Sequence, residues 1–73
     1  LVLLDEPCAS LSASASTEIL IHIKKTVTRA GSSALIVEQK VPELLEIADK
    51  ALVIADGTQV YFGDADKIPV EFI

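Results

Sequence analysis

Leu1-Val2-Leu3-Leu4-Asp5-Glu6-Pro7 runs four apolar residues directly into two acids and a proline. A short, continuous apolar run is the pattern of a strand buried on both faces, as parallel sheets require. The two carboxylates therefore fall at the carboxyl edge of a buried strand, where open α/β sheets bind their ligands. A second run of this kind, Ala34-Leu35-Ile36-Val37, follows some thirty residues later. Between the runs, Cys8 to Ser16 is small and polar and reads as a loop leading into a helix N-terminus. From Thr17 to Ala30, Ile19, Leu20, Ile23, Val27 and Ala30 recur at helical spacing. Lys24, Lys25 and Arg29 crowd the final turns, where they complement the helix dipole, and Gly31 suits the position just past the end. Strand, helix, strand predicts a parallel pair joined by a crossover helix.

The rest of the chain extends the same α/β reading. Pro42 stands where a helix tolerates proline in its first turn, and Leu44, Leu45, Ile47 and Ala48 give a short second helix. Ala51 to Ile54, the Asp56-Gly57 pair and Gln59 to Phe62 predict a terminal β-hairpin with a two-residue turn. Beyond Gly63, with Asp64, Asp66 and Pro69, the chain is expected to start another helix.

Composition narrows the function classes. With 73 residues there is room for one domain, and the net charge of −5 argues against a phosphate-backbone binder, so no nucleic-acid partner is expected. A hydrophobic fraction of 51% excludes charge-driven disorder. Cys8 is the single cysteine, which excludes an internal disulfide and fits a reducing compartment, and with His22 alone it cannot make a Cys/His zinc site. No apolar run approaches the roughly 18 residues of a membrane span, and no basic stretch precedes an apolar one as in a signal peptide. The sequence contains no methionine and opens on an apolar strand, so it is expected to be a piece of something longer. His22 lies well off the centre of the helix's apolar face and is read as a solvated flank residue. Cys8, beside two carboxylates that raise a thiol pKa, is read as an inert small residue.

Asp5 is placed to hold Mg²⁺, directly or through water, and Glu6 to orient or deprotonate an attacking water. Phosphoryl transfer needs that division of labour, since a metal neutralises oxygen charge while a second group positions the nucleophile. Two acids ending a strand in solvent would be the plain alternative. The whole pattern, however, resembles the C-terminal part of an ABC-type ATPase, the nucleotide-binding subunit or domain of ABC transporters. Leu1 to Pro7 is similar to the family's Walker B strand, with Asp5 at the magnesium position and Glu6 at the catalytic glutamate. Cys8-Ala9-Ser10-Leu11-Ser12 falls where the family's D-loop lies, which implies nucleotide-side roles for Ser10, Leu11 and Ser12. Ser10 there replaces the usual glycine and Ser12 the usual aspartate. Ala34 to Gln39 resembles the strand leading to the switch histidine, and the spacing to Ala48-Asp49-Lys50 puts Gln39 at the histidine position. In the register of lipid-exporting half-transporters that position would fall on Glu38; importers of branched-chain amino acids carry Gln at the favoured place. Val53 to Gly63 resembles the family's terminal hairpin, so the likeness runs through about Lys67.

The resemblance implies the C-terminal portion of a P-loop NTPase fold, with ATP and Mg²⁺ as ligands of a longer parent protein. It also implies a second ATPase domain and a transporter membrane domain as partners, on the cytoplasmic face of a membrane. Gln39 can hydrogen-bond a γ-phosphate or the water attacking it, but cannot relay a proton as histidine does. Gly31, Gly57 and Gly63 belong to no G-x-x-x-x-G-K-[ST] loop, and no Gly-Gly pair offers a signature sequence. Without such a loop nothing cradles the β- and γ-phosphates, so the 73 residues alone are expected to be inactive. A competing reading is a degenerate, non-catalytic module that packs or dimerises. A third is a non-transporter relative sharing the Walker B strand, such as a translation or DNA-repair ATPase. An unpaired strand edge would let the chain form a homodimer.

Overall fold

A computed structural model describes residues 1–73. Strand β1 (Val2–Asp5) pairs in parallel with β2 (Ala34–Val37), in register from Val2 opposite Ala34 to Asp5 opposite Val37. Helix α1 (Ala13–Arg29) is the crossover between them. It begins four residues before the predicted Thr17, because Ser12 caps it: the Ser12 hydroxyl accepts the Ala15 N–H at 3.2 Å. Ser14 and Ser16, read as loop, are thereby inside the helix. At the other end the reading of Gly31 holds. With φ of 64° it lets its own N–H reach Thr28 O and the Ser32 N–H reach Val27 O, both near 3 Å, which is a Schellman ending.

Helix α2 (Val41–Leu45) carries Pro42 in its first turn and stops before the expected Ile47 and Ala48, whose N–H groups both return to Leu44 O. Strands β3 (Lys50–Ala55) and β4 (Thr58–Asp64) form the antiparallel hairpin, with a register shift at Val53/Ile54. Asp56 and Gly57 have φ of 51° and 73°, the double positive φ of a type I′ turn, whose twist matches its strands. Lys50 and Asp64 pair at the open end of the hairpin. The predicted final helix is instead two single 3₁₀ turns, Ala65–Lys67 and Val70–Phe72. Pro69 separates them, since it lacks an N–H and holds Ile68 extended.

Cys8, Ser16, Leu20 and Ala65 are the buried residues. Ser16, Leu20, Ile23 and Val27 make the inner stripe of α1, while Ile19 and Ala30, expected on it, are exposed. The strands are not buried on both faces either. Leu4 and Ile36 are half-buried, whereas Leu3 and Leu35, on the opposite face, are 68% and 53% exposed. Two strands with one crossover helix leave that face without a covering layer. Between β2 and β3 runs a mostly apolar gap of about 860 Å³, lined by all of β2 and by β3 from Lys50 to Ile54.

Candidate functional site

The site lies at the carboxyl end of the parallel pair. Asp5 closes β1 opposite Val37, and one further rung follows, the Glu6 N–H donating to Val37 O at 2.7 Å. That rung places Glu6 beside Glu38, with Gln39 the next residue along, as the two strands end. Glu6 then turns the chain out of the sheet with φ of 48°, a left-handed conformation that costs a non-glycine residue energy. Two tight turns follow, Ala9 N–H to Glu6 O and Leu11 N–H to Cys8 O, both at 3.1 Å, with Ser10 also left-handed at φ of 68°.

This loop is held at three points. The Cys8 thiol is buried and points at the Ser16 carbonyl, 3.8 Å away. Burial pushes that thiol's pKa up, and the nearby Glu38 charge adds to the shift against the Ser16 contact. Burial and the raised pKa agree with the reading of Cys8 as a small packed residue, although the carboxylate concerned is Glu38 rather than Asp5 or Glu6. The Cys8 N–H donates to Glu38 Oε2 at 3.1 Å, and the Lys40 ammonium donates to Leu11 O at 2.7 Å.

Asp5, Glu6 and Gln39 are exposed, and neither Asp5 nor Glu6 takes part in an ion pair. Ser10 lies exposed at the loop's tip, and Leu11 is half-buried with its carbonyl engaged by Lys40. The Ser12 hydroxyl is occupied as the α1 cap. His22 is exposed, as read. Lys40 was not singled out from sequence, and Glu38 was weighed only as the alternative histidine position, not as a tie between the two ends of the site; a Glu-x-Lys pair directly after an apolar strand is the one local signal they offered. The donor set fits part of a magnesium site. Mg²⁺ uses one or two carboxylates and completes its octahedron with waters and phosphate oxygens, and the exposed, unpaired acids at the strand end meet that need. No cluster of three metal-ligating side chains exists to cage an ion.

No protein-family model matches the chain, and no solved structure matches it. Curated proteins do. The molybdenum import ATP-binding protein ModC of Salmonella typhimurium is 34% identical over 68 residues, covering 93% of this chain and 19% of ModC. A putative ABC transporter ATP-binding protein of Pyrococcus horikoshii is 37% identical over 66 residues, covering 90% of this chain and 25% of that protein. The xylose import ATP-binding protein XylG of Burkholderia cenocepacia is 40% identical over 60 residues, covering 82% of this chain and 11% of XylG. The chain thus spans at most a quarter of the length of these relatives. No helix is long and apolar enough to cross a membrane.

Proposed function

We propose that these residues form the Walker B-to-hairpin portion of an ABC-type ATPase, one that powers transport across a membrane. The observation that carries the reading is the acid pair at the carboxyl edge of the parallel strands, with Gln39 two residues past the end of the partner strand. It sits in a chain similar to ATP-binding proteins over about nine tenths of its length. Asp5 would hold Mg²⁺, which when bound neutralises charge on the phosphoryl oxygens. Glu6 orients the attacking water and takes up its proton, and the Gln39 amide donates to the γ-phosphate or to that water. Ser10, Leu11 and Ser12 belong to the loop that faces a second ATPase domain.

The phosphate-cradling loop is supplied by the N-terminal part of the same domain. The apolar gap between β2 and β3, with a strand edge on each side, supports a larger sheet into which that part packs. A membrane domain completes the transporter, with the ATPase on its cytoplasmic face.

In the complete ATPase, Glu6→Gln keeps size and hydrogen bonding but removes the proton acceptor. It should leave Mg·ATP affinity nearly intact and lower turnover by about 10²-fold or more. Asp5→Asn should weaken both affinity and turnover. Hydrolysis by Glu6→Gln at close to the parent rate would show that the acid pair is structural.

A further inference from the structure

We infer that Glu38 and Lys40 are positioning residues that hold Gln39 in register with the loop carrying Glu6. The inference rests on the reading of Glu6 and Gln39 as the pair that handles the attacking water. The Glu38 carboxylate divides its two oxygens between two N–H groups: Oε2 accepts from Cys8 at 3.1 Å and Oε1 from Gln39 at 3.0 Å. One side chain thereby sets the spacing between the backbone of the loop and the backbone of position 39. On the far side of Gln39, the Lys40 ammonium donates to Leu11 O at 2.7 Å, gripping the same loop three residues further on.

Gln39 is thus flanked by two charged side chains, both anchored on the segment from Glu6 to Ser12. The loop is in turn fixed to α1, through the buried Cys8 thiol and the Ser12 cap, so it gives little. Charge-assisted hydrogen bonds are about twice as strong as neutral ones, which suits a contact that must keep two exposed catalytic groups aligned. Glutamine cannot do the work of Glu38. It offers one oxygen and an NH₂ donor, so at one of the two N–H groups, which Glu38 meets with separate oxygens, donor would face donor.

The test is amide hydrogen exchange read by NMR on the 73-residue chain, which needs no nucleotide; its failure is therefore distinct from failure of the hydrolase reading. In Glu38→Ala the Cys8 and Gln39 amides should exchange about tenfold or more faster. The Val2 amide in the β1–β2 ladder and the Ser16 amide in α1 should keep their rates. Unchanged exchange at Cys8 overturns the bridge. If the ladder and helix amides also lose protection, Glu38→Gln decides, since it keeps the volume and loses one acceptor. One of the two amides should then speed up with the ladder intact, and neither doing so overturns the bridge. Lys40→Met keeps the stem and removes the donor. It should shift the Gln39 side-chain NH₂ resonances, and a Gln39 signal identical to the parent's refutes the positioning role.

Discussion

Replacing Leu20 with alanine tests whether α1 is held by one point of its surface. Leu20 is fully buried, whereas the adjacent Ile21 is 40% exposed. Burial losses of this kind cost about 2–5 kcal/mol at enclosed sites, the amount depending on how far the surroundings collapse. With only Cys8, Ser16 and Ala65 as further buried residues, the neighbours of Leu20 can relax, so the lower half of that range applies, about 3 kcal/mol. For a domain of this size each kcal/mol shifts Tm by about 4–8 °C, so Leu20→Ala should lower Tm by about 15 °C. Ile21→Ala removes a half-solvated side chain and leaves no closed cavity, so about 1 kcal/mol and about 5 °C are expected. Thermal unfolding followed by far-UV circular dichroism on both variants gives the comparison. Equal losses would refute a core centred on Leu20 and return the inner stripe to the broader Ile19-to-Ala30 face.

The Ser16 hydroxyl is buried with no hydrogen-bond partner, so Ser16→Ala should raise stability by about 1 kcal/mol in urea unfolding; a loss would mean that the hydroxyl is satisfied. Asp64 sits below the ordinary carboxylate pKa because Lys50 hydrogen-bonds and attracts it, and Lys50 is raised in return. The stability from Asp64 is therefore present above the ordinary carboxylate pKa and lost as pH falls through the depressed one, while that from Lys50 is lost only as pH rises through its raised value. Asp64→Asn should flatten the acid side of the Tm–pH profile at low salt, and an unchanged profile would count against the pair. The 73-residue chain, lacking a phosphate loop, should show no saturable Mg·ATP binding at micromolar nucleotide by calorimetry. A one-to-one site in that range would contradict the proposal that an N-terminal part supplies the cradle.

Local chemistry was legible from the residues. Asp56-Gly57 specified its turn and Gly31 its helix ending, because each signal lies within a few residues of its consequence, while the parallel pairing of the two apolar runs followed from the helix that connects them. The start of α1 was misplaced because serines signal loops and caps alike, and only the structure shows that Ser12 takes the cap while Ser16 is carried inside. Strand burial was misjudged because an apolar run records what the segment can bury, not which layers lie against it. In the site, Asp5 and Glu6 stood out by residue type and by their place at the end of β1, whereas Gln39 was found only through the family resemblance. The bonds from Glu38 to Cys8 and from Lys40 to Leu11 span 30 and 29 residues, and no local pattern announces such pairings.

Under the role proposed for Glu6, its left-handed backbone sets folding and turnover against each other. A glycine at that position would relieve a conformational cost of about 1 kcal/mol, and asparagine would relieve part of it. A search for thermostable variants should therefore recover Glu6→Gly and Glu6→Asn among its gains. In the complete ATPase those same substitutions should abolish turnover. If Glu6 has the role proposed above, optimising this chain for robustness alone would erase its working carboxylate, so position 6 belongs on the list of sites withheld from any stabilisation campaign.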